Sequence, residues 1–360
     1  MEEGLMRRVC MVGTSPESRG GIGSFVSGLL STVDIPGYEI NYIVSHRDAS
    51  AFGKLSVAAT AIADYRHLLD SGNVDIVHLQ TAFGASFYRA IPFIHLAKKR
   101  GYPVVVHIHA DEWDRFYADT DQRKQAIIKD TYSICSKVVV LSDEWRQIFE
   151  SIIPADKIAI LENFTSLYEP NSWPNRERRI ILFLSRLDPI KGTDILPQIC
   201  KQVLSTSPDA KFVICGDGPS RHLLENELST EVTEGRVILP GWVSGKAKVD
   251  ILRKASVFLL PSYGEGMPMS VLEAMGLGIP VVGTAVGGMP QLVRDGCEGF
   301  LLDPGDVDGI SDGIVRLIED DKLYRQCSRS CKDKAQGHSP RAYGVKLAKL
   351  YDGLLETLHE

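Results

Sequence analysis

Short runs of aliphatic and β-branched residues alternate with longer amphipathic stretches along almost the whole chain. In the first half the apolar runs fall at residues 8–13, 39–44, 74–80, 103–109, 137–141 and 157–161. Segments of helical period lie between them, at 24–32, 56–69, 86–99, 122–135 and 143–150. Strands this apolar, each followed by a helix, predict a parallel sheet covered on both faces. Residues 165–179, TSLYEPNSWPNRERR, then break the rhythm with polar residues, two prolines and a cluster of charges, which reads as a linker. A second series follows at 180–184, 211–215, 236–239, 257–260, 279–282 and 299–302, ending in three consecutive helical segments, 306–319, 321–336 and 340–359. The expected class is α/β: two Rossmann-like doubly wound domains, 1–165 and 166–336, facing each other across a cleft. Sheets of this kind bind ligands at the carboxyl ends of their strands.

Composition adjusts this picture little. A chain of 360 residues with 44% hydrophobic and 24% charged residues buries two ordinary cores. Its formal charge of −6 argues against a general nucleic-acid binder, so any anionic ligand must be held by a few placed cations and backbone amides. The seven cysteines form no CxxC pair, and Cys10 and Cys215 sit inside apolar runs, as buried thiols of a reducing cytoplasm do. The opening MEEGLMRRVCMVG lacks a signal peptide's apolar segment, and no apolar run approaches the roughly 18 residues needed to span a bilayer. A cytoplasmic protein is expected, soluble or at most lying on a membrane surface.

The densest chemical signal is the stretch 261–305. An apolar strand ends at Pro261 and opens into a glycine-bearing loop, and a helix begins near Met269. Backbone amides and a helix N-terminus at a strand's carboxyl end suit a phosphate. Glu265 lies in that loop and Glu273 about one turn into the helix; a carboxylate there can grip vicinal hydroxyls, as Rossmann sites grip ribose. Two glutamates at that spacing are otherwise plain surface charge. SRLDPIKG, directly after the strand at 180–184, places Arg186 and Lys191 at another carboxyl end, where a guanidinium and an ammonium could clamp a diphosphate. Gly21, Ile22 and Gly23, after the first strand and just before the first helix, allow close approach to a ligand. Gly216, in Gly216-Asp217-Gly218-Pro219, either lines the cleft or makes a tight turn. His109 ends the run VVVHIH two residues after His107, so both imidazoles point to one side of the sheet, and His109 is a candidate hydrogen-bond donor to substrate. Asp306-Val307-Asp308 precedes a helix, and Asp306 there is a cap rather than a metal ligand.

Together these blocks resemble the retaining glycosyltransferases of family 4, which have the GT-B fold. The resemblance runs over nearly the whole chain and is densest from 180 to 305. The family's paired glutamates, seven residues between them, appear as Glu265 and Glu273 in EGMPMSVLE; its Arg and Lys as Arg186 and Lys191; its glycine loop as Gly20-Gly21-Ile22; its strand-end histidine as His109. Asn163, in ILENF, matches the asparagine that closes the first domain. The resemblance implies a hexosyl or N-acetylhexosaminyl transfer, with retention, from a nucleotide-sugar donor, by preference a UDP-sugar. Arg186 and Lys191 would neutralise the diphosphate, Glu273 would hold the ribose, and His109 would bond the transferred sugar. Glu265 and the backbone of Gly266, Met267, Pro268 and Met269 would contact the donor sugar and order the phosphate loop. The base would sit near Gly241, Trp242 and Val243, and the final helix, within 337–360, would cross back to the first domain. No cofactor and no metal are expected, because the loop cations already supply the positive charge.

The acceptor is less legible. By the same resemblance it is a glycan or a lipid-linked precursor, met at the inner face of a membrane. SFYRAIPFIHLAKKR, at 86–100, could touch a membrane surface, or could simply pack on its sheet with a cationic C-terminus that suits the helix dipole. The tract DEWDRFY, at 111–117, could shape the acceptor pocket. The alternative of another class is a GT-B sugar-nucleotide epimerase, of the UDP-N-acetylglucosamine 2-epimerase kind, which needs no acceptor.

Overall fold

In a computed structural model describing residues 6–109, 113–166 and 179–357, the apolar runs become strands of two separate six-stranded parallel sheets. The first holds β1 (Arg7–Thr14), β2 (Tyr38–His46), β3 (Ile76–Thr81), β4 (Val104–Ile108), β5 (Lys137–Val140) and β6 (Ile158–Ile160). The second holds β7 (Ile180–Leu184), β8 (Lys211–Cys215), β9 (Val237–Gly241), β10 (Val257–Leu260), β11 (Val281–Thr284) and β12 (Gly299–Leu302). Most of the linker expected at 165–179 lies outside the described residues.

The chain divides into two compact units, one running to Phe164 and resuming at Pro340, the other spanning Thr165–Ser339. In the first, the strand order is β2-β1-β3-β4-β5-β6; in the second it is β12-β11-β10-β7-β8-β9. Read from the other edge, the second is the 3-2-1-4-5-6 order of a Rossmann sheet, reversing between β7 and β10. In the first unit the reversal falls between β1 and β3. Both sheets are therefore doubly wound, with a crevice at the carboxyl ends where neighbouring connections leave in opposite directions.

The two faces of the first sheet are covered differently. Val77, Leu79, Val104, Val106, Val138 and Val140 point to one apolar cluster, filled from the helices by Tyr65, Phe87, Phe93, Tyr132 and Phe149. The opposite face carries His78, Gln80 and His107, all buried, under Phe25 and the helix Pro340–Glu356. Phe25 packs on Phe164 and Tyr343 with ring centroids 5.4 and 5.8 Å away, and Tyr351 packs on Tyr38 at 5.0 Å. Asp352 of the same helix accepts from Tyr38 Oη at 2.7 Å and pairs with Arg7 at 3.1 Å. The chain's last long helix is thus a layer of the first unit.

Local signals set the helix ends. Ser142 accepts from Trp145 N to start Asp143–Glu150, and Asp320 accepts from Lys322 N and Leu323 N to start Asp321–Gln336. Asp306 accepts from Gly309 N at 2.9 Å, so it is the cap of Val307–Glu319. One start differs from the sequence expectation. The first helix spans Gly21–Thr32, so Gly21, Ile22 and Gly23 form its first turn rather than a loop ahead of it. Gly20 takes a φ of 109°, and Ser24 N donates to Gly20 O at 3.1 Å, closing that turn three residues early.

The tract at 111–117 also differs. Residues 110–112 lie outside the described set, but Trp113 opens a short helix, Trp113–Ala118, and is fully buried. Its ring lies 4.2 Å from Phe149 and 5.3 Å from Tyr117, so it is a core residue. The segment at 86–100 follows its plainer reading: in the helix Ala85–Lys99, Phe87, Ala90, Phe93, Ile94 and Ala97 are buried on the sheet. No helix among the described residues is long and apolar enough to cross a membrane.

Tyr343 separates packing from polarity in the final helix. Its ring is 2% exposed, while its hydroxyl has no hydrogen-bond partner among the described residues. Tyr343→Phe should leave stability unchanged or slightly raised, whereas Tyr343→Ala should cost about 3–5 kcal/mol through the cavity left beside Phe25 and Phe164. Urea unfolding of the two variants checks this; equal losses would show that the hydroxyl is the stabilising group.

Candidate functional site

In the second unit the crevice between β7 and β10 gathers most of the residues singled out by sequence. The chain leaves β7 through Ser185–Leu187 and makes a single 3-10 turn at Pro189–Lys191, capped by the Asp188 carboxylate, which accepts from Ile190 N at 3.2 Å. Gly192 ends that turn with a φ of 74°, and a Cβ there would stand 2.0 Å from the carbonyl oxygen of Pro261. Only glycine lets the loop after β7 lie directly on the loop after β10. Tyr263 N donates to Ile190 O at 2.7 Å and fastens the two loops together.

That contact places the Lys191 ammonium against the Glu265 carboxylate at 2.9 Å, both side chains being almost wholly buried. Glu265 Oε1 also accepts from Ser262 Oγ at 2.7 Å, and Lys191 Nζ lies 3.4 Å from Gly264 O. The Glu265 charge is therefore neutralised within the protein, and the carboxylate is oriented rather than free to swing. The loop is braced from behind by the turn after β11. A Cβ on Gly287 would stand 1.7 Å from Glu265 O, and Gly288 N donates to Gly266 O at 2.7 Å. Thr284 Oγ1 donates to Ser262 O.

The loop then enters the helix Met269–Gly276, whose N-cap, Pro268, offers no side-chain acceptor. Gly266, Met267 and Pro268 are buried and Met269 is partly so. Amides at such an end carry partial positive charge that an anion can satisfy. Glu273, buried in the second turn, accepts from Lys248 Nζ at 2.6 Å. Arg186 differs from both lysines: its side chain is 57% exposed and pairs with Asp188 at 3.0 Å, leaving it able to turn toward a ligand. Gly216 lies against the β7 loop, where a Cβ would stand 1.9 Å from Ser185 O, and Leu187 N donates to Asp217 O at 3.0 Å. The GDGP turn is a seam between two loops. Val243 is half-buried between β9 and the helix Gly245–Lys254, beside the exposed Trp242.

Lys248, Ser262, Thr284 and the pair Gly287-Gly288 escaped the sequence reading. Lys248 lies one turn into an ordinary cationic helix, and nothing local marks it. Gly287-Gly288 was visible as a glycine pair just after an apolar run, the same signal that marked 20–23.

In the first unit Gly23 meets its own loop: a Cβ there would stand 2.0 Å from Ser18 O. His109, just past β4, donates its backbone N to Thr81 O at 2.7 Å, and its Nε2 lies 2.7 Å from Gln80 Oε1. The His107 and His109 rings lie 4.2 Å apart, on one side of the sheet as their spacing predicts. Burial drives the pKa of His109 and of His78 down to about 3, and holds His107 well below the ordinary imidazole range. All three are neutral at physiological pH. Among the described residues no His, Cys, Asp and Glu side chains converge as a metal-ligand group.

Two doubly wound units, one with a buried cation and a helix without a side-chain cap at its switch point, define an α/β protein of the GT-B type. Residues 168–334 match the sequence family "Glycosyl transferases group 1", and residues 29–167 match "Glycosyltransferase Family 4". The chain belongs to this group 1 / family 4 glycosyltransferase family. It is 32% identical to the 2-deoxystreptamine N-acetyl-D-glucosaminyltransferase of Niallia circulans over 41% of this chain and 38% of that one. It is 27% identical to the UDP-Gal:alpha-D-GlcNAc-diphosphoundecaprenol alpha-1,3-galactosyltransferase of Escherichia coli over 74% of this chain and 72% of the relative. The match thus spans well under two thirds of the first relative's length. Among solved structures, Anabaena HepE in complex with UDP and glucose superposes with a TM-score of 0.73 at 17% identity, over 96% of this chain and 100% of that one.

Two outcomes follow from the electrostatics. Lys191→Met should lower stability by about 3–5 kcal/mol, because it strands a buried carboxylate; Lys191→Met/Glu265→Gln should recover most of that loss. Chemical denaturation of both variants tests it, and a double mutant no better than the single would mean that the charges are not compensating each other. For the buried imidazoles the unfolded chain takes up protons below a pKa of about 6.5, whereas in the native state burial holds His78 and His109 unprotonated until near pH 3 and His107 well below the ordinary imidazole range. Stability should accordingly be complete above about pH 6.5 and fall as the pH drops, by roughly 2 kcal/mol at pH 5 for each of the fully buried His78 and His107. His107→Leu, which deletes one of them, should flatten the fall between pH 7 and 5 by about one proton's worth; an unchanged slope would contradict it.

Proposed function

We propose that the chain transfers a hexosyl or N-acetylhexosaminyl group, with retention and without a metal, from a UDP-sugar to a glycan or lipid-linked acceptor. The observation that carries this reading is the Lys191–Glu265 pair, held at the switch point of a Rossmann sheet beside an uncapped helix. An ammonium already desolvated and oriented stabilises a diphosphate without reorganising, which is what a leaving nucleotide requires. The printed names of relatives support the substrate class. The E. coli relative is named for a UDP-galactose donor and a diphosphoundecaprenol-linked acceptor, and HepE holds UDP and glucose. Relatives and matched families alike are transferases, which disfavours the epimerase.

In this mechanism the C–O bond between the sugar and the diphosphate breaks, and negative charge grows on the terminal phosphate. Arg186 turns onto that phosphate, Lys191 faces it from within, and the backbone amides of Gly266, Met267 and Met269 complete the cradle, with Gly216 packed beside it in the seam of loops. Glu273 exchanges part of its bond to Lys248 for the ribose hydroxyls, and Val243 lies against the base. His109 and the turn of Gly21, Ile22 and Gly23 serve the transferred sugar. The acceptor oxygen attacks the face the nucleotide leaves, and the departing phosphate takes its proton, which gives retention without a protein nucleophile. Glu265, neutralised by Lys191, acts through the loop it orders. The work is assigned to the cytoplasm, at the inner face of a membrane where the acceptor is lipid-linked.

Titration with UDP-, GDP- and ADP-sugars, in buffer containing a chelator, tests the reading directly. One UDP-sugar should bind and be slowly hydrolysed without acceptor. Glu273→Gln should weaken its binding about 10- to 100-fold, the worth of charge-assisted hydrogen bonds to the ribose. Undiminished affinity in that variant, or epimerisation in place of hydrolysis, would overturn the assignment.

A further inference from the structure

The polar face of the first sheet carries a continuous hydrogen-bonded line. Tyr351 Oη lies 2.6 Å from His78 Nδ1, His78 Nε2 lies 3.3 Å from Gln80 Nε2, and Gln80 Oε1 lies 2.7 Å from His109 Nε2. Tyr351 and His78 are fully buried and Gln80 is 5% exposed, so water does not compete for these bonds. The strands impose the alignment. His78 and Gln80 stand two apart on β3, Gln80 is in register with His107 on β4, and His109 follows two residues later.

The line has a direction. A glutamine amide nitrogen only donates and its oxygen only accepts. Gln80 Nε2 therefore gives one hydrogen to a bare His78 Nε2, so His78 carries its own proton on Nδ1 and donates it to Tyr351 Oη. Gln80 Oε1 accepts, so His109 donates from Nε2. The opposite turn of the amide would set its oxygen against the sulfur of Met11; as placed, the nitrogen donates to Met11 Sδ at 3.4 Å. His109 Nδ1 is then the bare ring nitrogen, with no hydrogen-bond partner among the described residues.

Building on the transferase reading, we infer that Gln80, His78 and Tyr351 are positioning residues that fix His109 as its Nε2–H tautomer, so that Nδ1 accepts a hydrogen bond from a hydroxyl of the transferred sugar. This reverses the polarity expected of His109 from sequence, where it stood as a donor. It also sets a selectivity: a bare imidazole nitrogen favours a sugar hydroxyl and disfavours a carboxylate or a methyl ether at the same place. Because Tyr351 sits on the helix Pro340–Glu356, that helix takes part in setting the tautomer three bonds away.

The ring nitrogens of the full-length protein, labelled with 15N-histidine, report the tautomer directly. Long-range 1H–15N spectra of the wild type should show His109 protonated on Nε2 and His78 on Nδ1. Gln80→Met should release His109 to a mixture of tautomers. Tyr351→Phe, which removes His78's acceptor, should move both histidines toward the reverse arrangement. In both variants kcat for UDP-sugar hydrolysis should fall about tenfold while the affinity for UDP stays within about twofold, since only a bond to the sugar is disturbed. Wild-type His109 protonated on Nδ1, or a tautomer indifferent to Gln80→Met, would overturn the inference. A wild type that bound no UDP-sugar would instead sink the transferase reading, and the ring spectra would still decide the tautomer.

Discussion

The carboxyl-end crevice of the second unit depends on one buried ion pair, Lys191 with Glu265, and that pair depends in turn on backbone lying against backbone. Lysine and glutamate are costly to bury unless each meets the other with good geometry. Here the geometry comes from loops leaving β7, β10 and β11, brought together where Gly192 and Gly287 carry no side chain. A methyl group at either place would push the loops apart and separate the charges. The glycines around the site therefore act through spacing as much as through the turns they make.

The first unit meets a different constraint. Its sheet hides one face in an apolar cluster and buries imidazoles and an amide on the other, where parallel strands are ordinarily aliphatic. The aromatic layer supplied by Phe25, Phe164, Tyr343 and Tyr351 keeps that face dry. Dryness holds the imidazoles neutral and makes each hydrogen bond among them directional. The two units thus hold their buried polar groups by opposite means, one by compensating charge and the other by excluding it.

Much of the fold was legible because its strands are short and apolar throughout. The runs at 257–260 and 299–302 and the helices at 143–150 and 321–336 have the same bounds in the sequence pattern and in the structure. The first helix was misjudged at its start because Gly20, Gly21 and Gly23 read as a loop, whereas backbone bonding carries the helix back to Gly21, with Gly20 as its N-cap. The tract 111–117 read as a pocket segment because it follows His109, and only the tertiary packing on Phe149 reveals Trp113 as core. In the site, Arg186, Lys191, Glu265 and Glu273 stood out by following strands. Lys248 did not, since its meeting with Glu273 joins elements 25 residues apart. His78 and Gln80 did leave a trace, as polar residues interrupting the otherwise aliphatic run of β3.

The return of the helix Pro340–Glu356 to the first unit has a consequence for the order in which the protein is made. The second unit is continuous in sequence, so all its parts have left the ribosome once Ser339 has emerged. The first unit, although begun earlier, lacks a layer until residues 340–356 follow. Until then the face bearing His78, Gln80 and His107 has no Tyr343 or Tyr351 above it. Vectorial synthesis ordinarily completes the N-terminal domain first. Here the later-translated unit can close first, and the earlier one waits as an open sheet in need of protection from its neighbours.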